Sequence, residues 1–192
     1  IRNLFLTRID VEGVTWFRYH HLFHDFLVAR FKRDDLDRYV QQQRRAGEWF
    51  EVHQQPEEAV EHFWQANALE QAARVMNACA RDLYLAGRMQ TLAQWANLLP
   101  PAFRMAAPEL ILYQAQMLGD RGQLHDALSL LQDVGHAFAA QQNEIGQARA
   151  ALVEGWACQV SGRLPDALQA GQDAVRRLEA LGQSGQTFYA QA

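Results

Sequence analysis

Gly122-Gln123-Leu124-His125-Asp126-Ala127-Leu128 returns forty residues later as Gly162-Arg163-Leu164-Pro165-Asp166-Ala167-Leu168, with five of the seven positions identical. A repeat at that interval is what stacked helix-turn-helix units produce, so it decides how the rest is read. Gly155, Ala167 and Ala174 are spaced 12 and 7 apart; Gly47, Ala59 and Ala66 carry the same spacing, as do Ala115, Ala127 and Val134. Small side chains at those positions let paired helices approach where they cross. The fold class this predicts is all-α: a tetratricopeptide-like α-solenoid of antiparallel helix pairs. The usual period of that repeat is about 34 residues, so a forty-residue step predicts helices about a turn longer than standard.

Working outward, Gly87, Pro100-Pro101, Gly122, Gly162 and Gly182 punctuate helical segments at about 69–86, 89–99, 107–119, 123–140, 144–161, 164–181 and from 186. Leu22, Phe23, Phe26, Leu27 and Phe31 form one apolar stripe of an earlier helix. Asp34-Asp35 suits the cap of a second, and Pro56-Glu57-Glu58 the first turn of a third. The first twenty residues differ. Leu4–Thr7 and Thr15–Tyr19 are short, β-branched and aromatic, and the stretch Asp10–Gly13 between them reads as the loop of a β-hairpin. A lone hairpin is marginal in water and needs a neighbour to pack on. The expected organisation is hairpin plus first helix over 1–33, a helical arm over 34–101, and an incomplete set of solenoid repeats over 102–192. Opening on Ile1 and closing just after a fresh helical start, the chain reads as part of a longer protein.

Composition narrows the function. Residues 1–45 hold nine Arg or Lys against six Asp or Glu, a net of +3, while residues 46–192 carry a net of −7. A chain with an acidic solenoid and a single lysine, Lys32, is a poor nucleic-acid binder by itself. No apolar run approaches the roughly 18 residues of a membrane helix. No signal peptide is visible, and Cys79 and Cys158 form neither a disulfide framework nor a metal pair. Both cysteines read as small buried thiols of a cytoplasmic protein. No nucleophile constellation accompanies them, which argues against an enzyme. His20 and His24 share a helical face without a third ligand, so no metal site is expected.

The segment Trp16-Phe17-Arg18-Tyr19-His20-His21-Leu22-Phe23-His24-Asp25-Phe26-Leu27 resembles the end of the winged-helix module in MalT-like regulators. These are large LuxR-type transcription activators of the STAND ATPase class. Arg45–Phe50 and Pro56–His62 with Ala66 resemble the segment that comes after that module in the family, and the helical-repeat region is similar to its repeats. The resemblance implies a position inside a larger machine, between an upstream nucleotide-binding module that uses ATP and ADP and a downstream DNA-binding helix-turn-helix. It makes residues 1–33 the remnant of a winged helix and the repeats a sensor. The chain has no phosphate loop, so no cofactor is expected on these residues themselves. Tyr19-His20-His21-Leu22 resembles the histidine motif that touches the ADP phosphate in STAND proteins, which makes His20 the phosphate-side candidate; the acid of that motif is replaced by His21.

In a solenoid the first helix of each pair lines the inner surface. Aligning on Ala115 and Gly155 places Glu109, Gln116 and Asp120 inward from one repeat, and Arg149, Trp156 and Gln159 from the next. An aromatic plate with an arginine, acids and amides suits a polar small molecule, such as a sugar, or a peptide. The plain alternative is that Trp156 fills space between repeats while Arg149 and Glu109 are solvated charges. Trp49, Phe50, Phe63 and Trp64 read as core of the arm, or in part as a face for the upstream module. The function expected is a signal-sensing segment of an ATP-dependent LuxR-type regulator, with no membrane or direct nucleic-acid partner. The alternative is a tetratricopeptide-type scaffold for protein partners without a small effector.

Overall fold

The computed structural model describes residues 5–11 and 14–182. Strands β1 (Leu6–Val11) and β2 (Val14–Tyr19) pair antiparallel, in a register that sets Leu6 opposite Tyr19 and Val11 opposite Val14. The ladder therefore runs further than the sequence pattern indicated, taking in Asp10 and Val11. Valine favours extended backbone, and the pair Val11–Val14 ends the described ladder. Leu4 and residues 12–13 lie outside the described residues.

Nine α-helices come after the hairpin among the described residues: α1 (His21–Asp34), α2 (Leu36–Val52), α3 (Pro56–Gln65), α4 (Leu69–Leu85), α5 (Met89–Leu98), α6 (Pro108–Asp120), α7 (Leu124–Ala140), α8 (Glu144–Val160) and α9 (Leu164–Ala180). Local chemistry starts several of them. Asp35 accepts a hydrogen bond from the Arg38 amide at 3.0 Å at the head of α2, and Asn143 does the same for Gly146 at 2.8 Å at the head of α8. Pro56 and Pro108 open α3 and α6, where a missing N–H costs nothing. The double proline at 100–101 is followed by a 3-10 turn, Pro101–Ala106, that packs on α4. The helix expected from 186 lies outside the described residues.

Six of the connections are the same turn. Three residues join α2 to α3, α3 to α4, α4 to α5, α6 to α7, α7 to α8 and α8 to α9. The middle residue of each is left-handed: Gln54, Asn67, Gly87, Gly122, Gln142 and Gly162, with φ between 52° and 78°. The residue after it donates its amide back to the helix, as Gln123 does to Leu118 at 2.9 Å and Arg163 to Cys158 at 2.8 Å. This closure satisfies the last carbonyls and turns the chain back, so consecutive helices become neighbours.

The small residues sit in the seams between those helices. Gly47 of α2 lies against the fully buried Phe63 of α3; a Cβ there would stand 2.8 Å from its ring. Gly155 of α8 lies against the Ala167 carbonyl and Ala170 of α9. Ala59, Ala66, Ala115, Ala127, Val134 and Ala174 are all buried. The helix pairs thus nest as the repeat predicted, and a fourth register joins them: Ala80, Leu92 and Leu99, also 12 and 7 apart and buried. The added length is unevenly placed. The second helix of a pair has 10 residues in α3 and α5 but 17 in α7 and α9, a difference of about two turns rather than one. One core runs from Ala59 to Met117, and a second gathers Ile111, Leu131, Val134, Phe138 and Ala150.

Candidate functional site

The first helices of successive pairs, α4, α6 and α8, stand side by side, α6 touching both its neighbours. Their shared face gathers polar and aromatic side chains. The rings of Tyr84 and Tyr113 stack with centroids 4.5 Å apart. Arg149 holds its guanidinium carbon 5.5 Å from the Tyr113 ring centroid and donates a 2.8 Å hydrogen bond to the Tyr113 hydroxyl. The same guanidinium donates to both carboxylate oxygens of Glu109, at 2.8 and 2.7 Å. Glu109 is fixed in turn, because its backbone amide donates to Asn77 Oδ1 at 2.8 Å. This makes a pair of stacked tyrosines joined through the Tyr113 hydroxyl to an arginine, which a carboxylate closes.

Its electrostatics are set by partial burial. The Glu109 and Arg149 side chains are 20% and 22% exposed, so each charge is compensated by the other rather than by water alone. Burial pushes the Tyr113 hydroxyl above the usual tyrosine range, with Arg149 pulling it back down. Burial also raises Tyr84, and the nearby charge of Asp120 adds to the effect. Both phenols are neutral hydrogen-bonding groups at physiological pH. Tyr113 itself is buried and Tyr84 half-buried, so the face offers a ligand the edge of Tyr84 and the partly exposed Glu109 and Arg149, with no group activated for bond-making.

Of the residues expected on this face, Glu109 and Arg149 meet directly. Trp156 is 38% exposed and lays its ring edge against Gly119 of α6. Gln116 is half-buried, and Asp120 and Gln159 are exposed, Asp120 within electrostatic reach of Tyr84. The sequence reading missed Tyr84, Tyr113 and Asn77. Two of these belong to α4, whose register is marked by Ala80 followed by two leucines instead of small residues. The aromatic group of the arm divides: Phe63 is core, Phe50 stacks on His62 at 5.0 Å, and Trp49 is exposed and stacks on His53 at 3.8 Å. Trp64 is half-buried beside α5.

At the other end, His20 occupies the junction between β2 and α1. Its backbone amide donates to the Phe5 carbonyl at 2.8 Å, which ties the hairpin to the helix start, and its exposed ring lies 4.3 Å from that of His21. The first turn of α1 holds no acid. His24 pairs with Asp25 at 3.3 Å, and among the described residues no group of His, Cys, Asp and Glu is placed to hold a metal ion. Around this junction Phe5, Phe17, Tyr19, Leu22 and Phe26 are exposed, and α1 buries none of its side chains.

Comparison with known proteins bears on both ends. Residues 1–39 match the family model of the MalT winged helix domain. The chain is 25% identical over 147 residues to the HTH-type transcriptional regulator MalT of Vibrio cholerae, covering 74% of this chain and 16% of that protein. It is 28% identical over 130 residues to MalT of Cronobacter sakazakii, covering 68% and 14%. It is also 32% identical over 109 residues to the serine/threonine-protein kinase PknK of Mycobacterium tuberculosis, covering 57% of this chain and 10% of that protein. The chain thus spans only about a tenth to a sixth of the length of these relatives. It is similar to the winged-helix and helical part of MalT-like regulators. No solved structure matches it. Among the described residues no helix is long and apolar enough to cross a membrane.

Proposed function

We propose that this chain is a signal-sensing segment of an ATP-dependent, LuxR-type transcription regulator of the cytoplasm, without enzymatic activity of its own. The observation that carries this reading is the union, in one chain, of a winged-helix match over residues 1–39 with an array of nested helix pairs presenting the Tyr84–Tyr113–Arg149 face. A second observation supports it. The stretches similar to MalT and to PknK necessarily overlap, although those two proteins are named for different outputs. A part shared by a regulator and a kinase fits an input role better than an effector role.

In this reading the face on α4, α6 and α8 receives a small polar effector or a protein segment. The exposed aromatic side of the hairpin and α1 packs against an upstream nucleotide-binding module. His20 would hold a phosphate of ADP there and favour the resting arrangement; the nucleotide itself belongs to that module. Effector binding biases the equilibrium between resting and active arrangements to the extent that it prefers one of them. The alternative is a tetratricopeptide-like scaffold that recognises protein segments alone, for which the nested helix pairs also serve.

Thermal-shift measurement against sugars and other small metabolites, set beside affinity capture from lysate, separates the two. A stabilising small molecule whose effect is lost on Tyr84→Ala, in a variant that still melts as a folded chain, supports sensing, whereas a captured protein with no small ligand supports the scaffold. In the complete regulator, His20→Ala should speed ADP loss and raise basal activity. Unchanged ADP exchange removes His20 from the mechanism.

A further inference from the structure

On the side of the second helices, α3 and α5 leave an open cleft of about 640 Å³ between them, a volume in the range of small-molecule and side-chain sites. It is formed away from the face on α4, α6 and α8. Glu57, Val60, Glu61 and Trp64 stand at i, i+3, i+4 and i+7 of α3 and so share one side of that helix. Trp95 of α5 supplies a nearly buried second indole, and Gln94 adds an amide.

The charge in this cleft is one-sided. No lysine or arginine is among its lining side chains, and α3 carries Glu57, Glu58 and Glu61 without a lysine or arginine. Arg88, from the turn between α4 and α5, reaches Glu57 at 2.5 Å. Among the described residues no ion pair engages Glu61, whose field instead acts on His62. A carboxylate beside two indole rings, with the other acid already matched, presents a place for a single added cation.

We infer that this cleft receives the guanidinium of an arginine side chain carried by a partner peptide. A guanidinium is planar, stacks on an indole face and forks onto a carboxylate, so it uses Trp64, Trp95 and Glu61 together. An ammonium is a compact, strongly hydrated charge and uses the indoles less well. An anion would meet Glu61 uncompensated.

The test titrates the 192-residue chain with acetyl-Gly-Arg-Gly-amide, its neutral citrulline counterpart and sucrose, read by tryptophan fluorescence and by the indole N–H resonances. The arginine peptide should give a saturable shift of the Trp64 and Trp95 resonances. The citrulline peptide should bind at least about tenfold more weakly, and Glu61→Gln should weaken the arginine peptide about fivefold or more. Trp64→Ala should abolish the response, with thermal melting as the check on folding. Glu61→Gln changes an exposed side chain and keeps the test alive if that variant unfolds. Equal binding of the arginine and citrulline peptides, indole resonances unmoved by the arginine peptide, or tighter binding of sucrose overturns the inference.

Discussion

Arg149 grips Glu109 from the equivalent place in the next helix pair: each lies six residues before the small seam residue of its own helix, Gly155 for one and Ala115 for the other. The repeat therefore builds its own inter-repeat clasp out of one register position. Removing one partner leaves the other charge partly buried. Glu109→Gln or Arg149→Met should each cost about 2 kcal/mol in denaturant unfolding. The double variant should cost less than the sum, with a coupling of about 1–2 kcal/mol. Strict additivity would show that the two side chains do not act as a pair.

Glycines within the helices divide by what they touch. A Cβ at Gly146 would stand 2.4 Å from the ring of Phe138, which is fully buried and has no room to swing aside. Gly146→Ala should destabilise by about 1–3 kcal/mol. Gly135 and Gly171 meet nothing within 4 Å, so alanine there should gain about 0.5–1 kcal/mol from helix propensity. Thermal melting of the three variants checks the opposite signs.

The left-handed turn residues offer a separate test. Gln54 and Gln142 adopt φ of 59° and 54°, where a Cβ crowds the backbone. Glycine at either position should stabilise by about 0.5–1 kcal/mol, the relief of strain exceeding the entropy that glycine adds to the unfolded chain. Chemical denaturation midpoints measure it.

His62 makes stability depend on pH. Burial against Phe50 holds its imidazole below the ordinary value of 6.5, with Glu61 and Glu58 pulling the other way. Because the folded value is depressed, the unfolded chain binds more protons as pH falls below 6.5. The contribution of neutral His62 is full above that value and is lost as pH falls through the folded pKa. Denaturant midpoints should decline from pH 7 to pH 5, and His62→Gln should flatten that part of the curve.

Burial pushes the Cys79 thiol up to about 11, and its Sγ–H donates to the Val75 carbonyl at 2.9 Å. Cys158 is raised for the same reason. Ellman's reagent at pH 8 should react with Cys79 about a hundredfold more slowly than with free cysteine, and at the normal rate once the chain is unfolded.

The sequence told most about the helices and least about their registration. Gly87, Gly122 and Gly162 announced three turns, because glycine advertises the backbone it allows; Asn67 marks the same turn more faintly, and Gln54 and Gln142 make it with no mark at all. Gly47, Ala115 and Gly155 revealed three seams for a like reason, whereas the leucines at 92 and 99 concealed the fourth. That concealment left α4, itself expected at about 69–86, out of the inner face, and with it Tyr84 and Asn77, which complete the polar cluster. The pairing of Glu109 with Arg149 depends on two helices forty residues apart, a relation that local periodicity does not encode.

The change from ten-residue to seventeen-residue outer helices gives the array two gauges, roughly 15 Å tall at its start and roughly 25 Å beyond. Tandem arrays risk docking a hairpin beside the wrong sibling, since siblings look alike to one another. Here a long hairpin seated in a short slot would overhang by about two turns of helix, leaving its buried positions there without a neighbour. The mismatch in height keys each half to its own neighbours, so the order of assembly is written into the dimensions of the parts.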